Sequence, residues 1–450
     1  MATYNGTPGN DAIEIFIPYA NPGTVNETAF GYEGNDTISI EYECINQGIP
    51  VGGSYSGTME VHGGPGNDTI SHDKSYTLWI GVAPDVENVV SRFYGESGND
   101  TFFAWTEEDK YNETGNAPET FYGGSGDDVY YIAEAGDRVV EMPGEGIDTV
   151  RARFSTSYAP YENPVVVLPE NVENLVLDTA GWYFNPTSLG AVGNTLANRI
   201  IGNEISNTLG GGLGNDTIYG KQAGVAASAY GPDADTIRGG GGDDLIYGGG
   251  GDADTWDGDD KLYGDAGNDR IFGHNGNDTM YGGTGNDEMG GQAGNDTMYG
   301  EAGADKLGGG SGNDVLDGGL DNDILTGREG LDRLTGGGGN DVFRYEWVTD
   351  SKPGATLRDV ITDFAGIGAT VIDRIDLSPI DANTGLSGNQ AFAFKGTAAF
   401  TGAGQLRLMS SGTDTVIQAN TGGSLAPELE IAVTDGTTLP GAWSATDFIL

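Results

Sequence analysis

The sequence is poor in cysteine and histidine. Its 450 residues include one cysteine, Cys44, so no disulfide can form within the chain. The three histidines, His62, His72 and His274, stand in turns rich in glycine or aspartate. None has a second histidine four residues later, and this absence disfavours a zinc site. We interpret the histidines as solvated loop residues and Cys44 as a small buried residue.

Basic residues are also scarce. Lysine and arginine number 20 against 68 aspartates and glutamates, which gives a formal net charge of −48. Such a chain has no basic patch that could displace phosphate counterions, so nucleic acid is excluded as a partner. No run of about 18 apolar residues marks a transmembrane segment. Acidity of this degree often accompanies disorder, but 21 tyrosines and 15 phenylalanines favour an ordered chain that cations complete.

The sequence motifs of common hydrolases are missing. There is no His-Glu-x-x-His helix for a zinc protease and no Gly-x-Ser-x-Gly turn for a lipase. Carboxylates are so abundant that no single pair identifies a catalytic acid and base. Residues 150–190 are the one stretch that could line a glycan-binding groove, although core packing and loop anchoring explain them better. The side chains concerned are Arg151, Arg153, Tyr158, Tyr161 and Trp182.

Glycine and aspartate, in contrast, recur with a nine-residue period. Ten aspartates keep this spacing, nearly all after a Gly-Gly-x-Gly-x turn: Asp260, Asp269, Asp278, Asp287, Asp296, Asp305, Asp314, Asp323, Asp332 and Asp341. Glycine permits the tight turn with positive φ, and the three residues after each aspartate are extended. Two nonapeptides therefore make one coil, and the coils stack as parallel strands about 4.8 Å apart. This pattern predicts an all-β fold, a parallel β-roll or β-solenoid.

Alternate aspartates lie on opposite edges of such a stack. Asp260, Asp278, Asp296, Asp314 and Asp332 line one edge, and Asp269, Asp287, Asp305, Asp323 and Asp341 line the other. Neighbouring carboxylates in a column would repel by roughly 3.5 kcal/mol per pair at an effective dielectric of about 20. A cation bound between coils replaces this repulsion by attraction to both carboxylates. Because carboxylates and glycine-turn carbonyls are hard oxygen ligands, we expect several Ca²⁺ ions as the cofactor.

The predicted core is thin. The apolar residue two positions after each aspartate fills the interior: Leu262, Ile271, Met280, Met289, Met298, Leu307, Leu316, Leu325, Leu334 and Phe343. One large side chain in nine residues cannot offset the backbone entropy of a glycine-rich chain, so metal binding has to supply folding free energy. We therefore expect folding to depend on calcium.

The nonapeptides, such as Gly282-Gly283-Thr284-Gly285-Asn286-Asp287, resemble those of the RTX (repeats-in-toxin) family of calcium-binding proteins. The resemblance implies a parallel β-roll with Ca²⁺ between adjacent turns. After Gly336, blocks such as Asp359-Val360-Ile361 and Asp373-Arg374-Ile375 resemble the serralysin C-terminal domain, without its protease domain. The ending Asp447-Phe448-Ile449-Leu450 resembles a type I secretion signal. These likenesses imply a β-rich C-terminal cap and export by the type I machinery.

The nine-residue register weakens toward the N-terminus. Further predicted calcium ligands are Asp244, Asp235 and Asp216, and the isolated turns at Asp128, Asp100, Asp68, Asp36 and Asp11. A seven-residue insertion separates Asp244 from Asp260, and Asn207 and Asn198 replace aspartate before Asp216. Asparagine is neutral, so we expect these first coils to hold together by amide hydrogen bonds.

We predict three regions. Residues 193–345 form the RTX parallel β-roll, and residues 346–450 form the serralysin-like cap and secretion domain. Residues 1–192 form an irregular β-solenoid with scattered RTX-type turns, or alternatively a separate β-sandwich that carries calcium loops.

One outer face of the predicted roll is aromatic. Tyr263, Tyr281 and Tyr299 are eighteen residues apart, whereas the other face has Phe272, Gly290, Gly308 and Thr326. The tyrosines either stack across strands or form a contact surface for a glycan or a neighbouring subunit.

The leading hypothesis is a secreted calcium-binding structural or interaction protein of the cell-surface, matrix or S-layer type, with no catalytic site of its own. Its roll would fold on Ca²⁺ after type I export, and self-assembly or a surface glycan would be its further partners. Residues 1–6 lack the charged and apolar regions of a signal peptide, so we expect an extracellular protein exported without one. The alternative is an extracellular polysaccharide lyase or epimerase with its active site in residues 1–192.

Overall fold

The structure is a computed structural model with two compact units, Met1–Leu213 and Gly214–Leu450. It describes residues 2–18, 24–43, 54–73, 85–104, 119–132, 136–152, 165–178, 189–222, 233–250, 257–365, 372–412, 414–422, 425–434 and 442–450. Almost all regular structure in these ranges is parallel β-strand. The predicted all-β, parallel solenoid class is confirmed. The predicted boundaries at residues 192 and 345 stay a prediction.

Strands of the first unit alternate between two sides of the coil. One side is ordered β1 (Ala2–Asn5), β3 (Thr24–Phe30), β5 (Ser54–Pro65), β7 (Asp85–Ser97), β9 (Glu119–Ser125) and β11 (Arg138–Val140). A separate run there is β13 (Val165–Val167), β15 (Leu189–Val192) and β17 (Asn207–Leu213). The other side is β2 (Ala12–Pro18), β4 (Thr37–Glu43), β6 (Thr69–Asp73), β8 (Thr101–Phe103), β10 (Val129–Ile132), β12 (Thr149–Ala152), β14 (Asn174–Leu177) and β16 (Arg199–Ile201). The described strands of the first unit thus pair in parallel, as in a solenoid.

The second unit repeats this plan with shorter coils. One side is β19 (Thr236–Gly241), β21 (Lys261–Ala266), β23 (Thr279–Thr284), β25 (Thr297–Ala302), β27 (Val315–Leu320), β29 (Arg333–Gly338) and β31 (Asp359–Ile361). The other side is β18 (Thr217–Tyr219), β20 (Leu245–Tyr247), β22 (Arg270–Asn275), β24 (Glu288–Ala293), β26 (Lys306–Ser311), β28 (Ile324–Glu329), β30 (Val342–Arg344) and β32 (Arg374–Asp376).

The last strands of the chain pair with the final strand on each side of the second unit. Next to β31 the order continues with β36 (Leu429–Val433), β35 (Asp414–Asn420), β34 (Gln405–Ser411) and β33 (Ala393–Phe394). Strand β35 runs antiparallel to both β34 and β36, unlike the strands of the roll. A 3₁₀ turn, Ala445–Asp447, precedes β37 (Phe448–Ile449), which pairs with β32. The residues that resemble a secretion signal are therefore also part of the fold.

The register of the second unit confirms the eighteen-residue coil. Tyr263 pairs with Tyr281, which pairs with Tyr299. All ten predicted core residues, from Leu262 to Phe343, are at most 3% exposed. Equivalent positions in the first unit are also buried: Ile38, Ile70, Phe102, Tyr130 and Val150. Adjacent coils approach so closely that a Cβ on Gly294, where φ is +139°, would collide with the carbonyl oxygen of Gly276.

The outer faces carry stacked aromatic rings. Ring centroids lie 4.9 Å apart for Tyr263 and Tyr281 and 5.1 Å apart for Tyr281 and Tyr299, and the Arg238 guanidinium lies 4.0 Å above the Tyr263 ring. Since each ring covers the face of the next, cross-strand stacking accounts for this strip. The first unit has a similar ladder in which His62 stacks on Tyr94 at 4.6 Å.

The interpretation of the histidines as solvated loop residues is wrong for two of them. His62 lies in β5 within the aromatic ladder, and its Nδ1 is 3.2 Å from the Glu96 carboxylate. His274 is 6% exposed and stacks on Tyr247 with centroids 5.6 Å apart. Both positions belong to strands that the turn-like sequence around them concealed. The side chain of His72 and the whole of Cys44 lie outside the described residues.

Of the five side chains named for a possible glycan-binding groove, only Arg151 is among the described residues. Its guanidinium pairs with the Asp178 carboxylate and lies 5.5 Å from the Tyr131 ring centroid. These contacts fit the interpretation that Arg151 anchors local structure. Arg153, Tyr158, Tyr161 and Trp182 lie outside the described residues.

Candidate metal centres

Each aspartate of the repeats is linked to its equivalent in the next coil. The backbone amide of Asp260 donates to Asp278 Oδ1 at 2.9 Å, and that of Asp278 donates to Asp296 Oδ1 at 2.8 Å. The same bond continues through Asp314 to Asp332, and on the other edge it connects Asp269, Asp287, Asp305, Asp323 and Asp341. We call each linked series an aspartate column. The structure thus brings together the ten aspartates in the two series that their spacing predicts.

The columns extend beyond the regular repeats. The Asp235 amide donates to Asp260 Oδ1 at 2.7 Å, and the Asp216 amide donates to Asp244 Oδ1, also at 2.7 Å. Asp244 is linked in turn to Asp269 at 2.8 Å. The insertion before Asp260 therefore does not interrupt the columns, because the extra residues lengthen one coil and leave its strand in register.

Two aspartates that lack the glycine turn also belong to the columns. The Asp332 amide donates to Asp359 Oδ1 and the Asp341 amide to Asp373 Oδ1, each at 3.0 Å. Asp359 and Asp373 stand in the serralysin-like blocks and are not among the ligands that the sequence predicts. The missed signal is the aspartate with an apolar residue two positions later, Ile361 or Ile375, both of which are fully buried.

The first unit has a column with longer coils. Amide-to-Oδ1 bonds of 2.7–2.8 Å connect Asp11, Asp36, Asp68, Asp100, Asp128 and Asp148 in order. The Asp148 amide then donates to the Glu173 carboxylate at 2.9 Å. Asp148 and Glu173 were not predicted from the sequence, although Gly146 stands two residues before Asp148 as Gly126 does before Asp128. Glu173 has no glycine at that position. The coils with asparagine in place of aspartate were predicted to be held by amide hydrogen bonds. Asn198 makes such a bond, because its Nδ2 donates to the Val172 carbonyl at 3.2 Å.

Most column carboxylates use only one oxygen. The second oxygen, Oδ2, is buried without a hydrogen-bond partner among the described residues in sixteen aspartates. These are Asp36, Asp68, Asp100, Asp128, Asp244, Asp260, Asp269, Asp278, Asp287, Asp296, Asp305, Asp314, Asp323, Asp332, Asp341 and Asp359. A buried carboxylate oxygen without a partner is costly, so each one needs a cation or a proton.

Glycine makes room for a second oxygen beside several of these carboxylates. A Cβ on Gly264 would collide with both Asp269 Oδ2 and the Gly282 carbonyl oxygen, so the two oxygens face one gap beside that glycine. The same pair of contacts recurs at Gly291 and Gly309. Carboxylate and carbonyl oxygens are the ligands that Ca²⁺ prefers, and they offer nothing to a soft metal. The donor set therefore fits calcium, although the assignment of individual aspartates as ligands stays a prediction.

The raised pKa values of the column aspartates also indicate that the columns need a cation. Burial, together with the neighbouring carboxylates of the column, raises the pKa of Asp296 to about 8 and that of Asp260 to about 10. Burial also raises the pKa of Asp305 to about 7 and that of Asp278 to about 6. Without a cation, the fold thus disfavours the charged form of its own carboxylates.

We expect low pH to stabilise the metal-free fold, because protons can neutralise part of the column charge that calcium would neutralise. The folded-state pKa values of Asp296 (about 8) and Asp305 (about 7) exceed the ordinary value of 3.8, so the metal-free fold binds more protons than the unfolded chain. The stability that this provides is complete below pH 3.8 and is lost as the pH rises through 7 to 8. In calcium-free buffer, the far-UV circular dichroism of β-structure should therefore increase from about pH 8 to about pH 5. A spectrum that does not change over this range would contradict the prediction.

The family model described as the RTX calcium-binding nonapeptide repeat, in four copies, matches residues 114–131, 192–222, 231–252, 257–289, 291–316 and 308–343. These segments contain Asp128, Asp216, Asp235, Asp244 and all ten regularly spaced aspartates. Asp11, Asp36, Asp68 and Asp100 lie outside the matched residues but in the same type of column. No curated protein matches this chain.

Two solved structures similar to this chain are the R3 and R2 subunits of the Azotobacter vinelandii mannuronan C5-epimerase AlgE6. The R3 subunit is 29% identical over 37% of this chain and 79% of its own, with a TM-score of 0.19. The R2 subunit is 27% identical over 37% of this chain and 89% of its own, with a TM-score of 0.22.

The described ranges contain no helix long and apolar enough to cross a membrane. The assignment of the chain rests on the repeat-family match and on the nonapeptide turns that build the aspartate columns. The chain therefore carries RTX calcium-binding nonapeptide repeats, and the metal of these repeats is Ca²⁺.

Proposed function

We propose that this protein is a secreted structural or interaction protein of the cell-surface, matrix or S-layer type, whose β-roll folds on Ca²⁺ after type I export. The observation that carries the proposal is that buried carboxylate oxygens without a hydrogen-bond partner among the described residues recur along successive coils in each unit. A chain with these columns needs many cations before it is stable. Its folded state is thereby tied to a compartment rich in calcium.

Calcium concentration provides the link to export. Extracellular calcium modules have dissociation constants of about 10⁻⁴ to 10⁻³ M, far above cytosolic calcium levels. A chain with sites in this range stays unfolded in the cytosol, as passage through an export channel requires. It then folds outside, where the ions fill the columns. The ligands we propose are the eighteen aspartates expected from the sequence, together with Asp148, Glu173, Asp359 and Asp373.

The outer surface supports an architectural role. Stacked rings such as Tyr281 between Tyr263 and Tyr299 use their faces for each other, which stiffens the sheet and leaves mainly ring edges toward solvent. The column carboxylates are turned inward and tied to backbone amides, as Asp296 is to Asp278. Such groups serve the coils to which they belong and are not arranged around a substrate.

The test combines assembly, activity and export. The full-length protein should gain β-structure with millimolar calcium and form ordered particles or sheets in electron micrographs, or bind a surface glycan, with no turnover in lyase and epimerase assays on acidic polysaccharides. Co-expression with a type I transporter should release it into the medium. Turnover of a polysaccharide would instead establish the enzymatic alternative, and retention in the cell would overturn the export step.

A further inference from the structure

In one coil of the first unit, an acidic residue stands where the preceding coils have a glycine. Strand pairing aligns Gly31, Gly63, Gly95 and Gly123 in successive coils, because Phe30 pairs with His62, His62 with Tyr94, and Tyr94 with Tyr122. In the next coil Val140 pairs with Tyr122, so the residue aligned with Gly123 is Glu141. Elsewhere in this series a glycine carbonyl oxygen, such as that of Gly123 beside Asp100, faces the aspartate. At the last coil the Glu141 carboxylate faces Asp128 instead.

The core residue next to this site also differs from those of the preceding coils. The core residue two positions after each column aspartate is Ile70 after Asp68 and Phe102 after Asp100, but it is Tyr130 after Asp128. Tyr130 is fully buried, and its hydroxyl donates to Glu141 Oε1. The glutamate at the glycine position thus lies one coil after the tyrosine that holds it.

Three carboxylates converge at this coil. One oxygen each from Asp128, Glu141 and Asp148 lie within 4.8 Å of one another, and all three side chains are buried. Oxygens 4.8 Å apart can both ligate an ion midway between them at 2.4 Å, which is inside the Ca²⁺–oxygen range of about 2.3–2.6 Å.

Two of these side chains keep an oxygen unpaired. Asp128 is 0% exposed and its Oδ2 has no hydrogen-bond partner among the described residues, while its Oδ1 accepts from the Asp100 amide. Glu141 is 4% exposed, and its carboxylate accepts from Tyr130 and from the Gly124 amide, which leaves Oε2 unpaired. Burial raises the pKa of Asp128 to about 8 and that of Glu141 to about 7. The unpaired oxygens point to a ligand that is not part of the chain.

We propose that Asp128, Glu141 and Asp148 form a distinct cation site, which takes a hard divalent ion such as Ca²⁺ more tightly than the regular repeats do. The proposal deepens the proposed calcium-dependent function. A regular gap pairs its carboxylates with neutral carbonyl oxygens, whereas this site adds a third carboxylate that Tyr130 fixes in place. Both a higher ligand charge and a more rigid site increase calcium affinity.

The probe is terbium(III), an oxygen-seeking ion of calcium size whose luminescence is sensitised by a nearby tyrosine. Titrated into the calcium-free full-length protein, it should give a first phase of tyrosine-sensitised emission that calcium displaces. Glu141→Gln keeps the shape and removes the charge, and it should weaken this first phase about tenfold, since affinity follows ligand charge. The control Glu170→Gln removes the same charge at an exposed position of the same unit and should leave the first phase unchanged.

Tyr130→Phe tests the site without removing a ligand. Phenylalanine occupies the equivalent position in the preceding coil as Phe102, so the substitution suits the core. Terbium should still bind this variant, as calorimetry would show, but the first phase of sensitised emission should fall, because only more distant tyrosines such as Tyr122 and Tyr131 remain to sensitise it. Emission of undiminished intensity in Tyr130→Phe would place the tightest ion elsewhere and overturn the proposal.

The outcome for Glu141→Gln separates this proposal from the proposed function. If its first phase matches the parent, Glu141 is only a structural partner of Tyr130 and the site is overturned, while calcium-induced folding of the repeats still stands. If the parent protein itself gains no structure and binds no calcium, the proposed function fails together with this site. If Glu141→Gln fails to fold, the emission of Tyr130→Phe decides.

Discussion

Removal of calcium with EGTA at neutral pH is expected to abolish most of the β-structure of the regular repeats, residues 257–343. The ten regular aspartates are 2% exposed or less, and the Oδ2 of each has no hydrogen-bond partner in the part of the chain that the structure describes. At an effective dielectric of about 20, the four neighbouring pairs of one column would repel by roughly 14 kcal/mol if all were charged. That repulsion is comparable to the whole stability of a typical domain, about 5–15 kcal/mol.

Far-UV circular dichroism and limited proteolysis measure this loss. Adding calcium back to about 10⁻³ M should restore the β-signal and the protection from protease. Magnesium is the matched control, because it demands a smaller octahedral site and gives up its water reluctantly, so the same concentration should restore much less. A spectrum and a digestion pattern that stay the same in EGTA would show that the columns hold without an ion.

The regular part of the fold could be predicted because its period is strict. An aspartate every nine residues with an apolar residue two positions later fixes both the column and the core, as Asp296 and Met298 illustrate. The same logic explains why Asp359 and Asp373 join the columns without a glycine turn. The column needs only the short strand after each aspartate to be in register, and the connection between strands can vary.

Other features depend on register between distant strands and so escape a reading along the chain. Glu141 is aligned with Gly123 only through the pairing of β11 with β9, and Tyr130 looks like an ordinary core residue until its hydroxyl partner is known. The contribution of Phe448 is similar. It resembled part of an export signal, but it is 6% exposed and pairs with Ile375.

The Asp296→Ala substitution is expected to have the largest effect of any single column change. Asp296 lies in the middle of its column, where its Oδ1 accepts from the Asp278 amide and its own amide donates to Asp314. The alanine variant leaves the buried Asp278 amide without its acceptor, which costs about 1–3 kcal/mol. It also removes the carboxylate from the gap beside Gly291, so calcium binding by the neighbouring coils should weaken with it.

Calcium titration followed by circular dichroism should show a midpoint at least about tenfold higher for Asp296→Ala and a less cooperative transition, because ligand charge sets calcium affinity. The control Asp317→Ala removes the same side chain from the half-buried outer face of β27, outside any column, and should titrate like the parent. Asp216 adds a second comparison. Because its amide is bonded to Asp244, it belongs to a column and is not an isolated turn, so Asp216→Ala should also weaken calcium binding. The Asp216 effect should be smaller than that of Asp296, since neutral asparagines hold the coils before it. Equal midpoints for Asp296→Ala and Asp317→Ala would mean that the column carboxylates do not hold the ions.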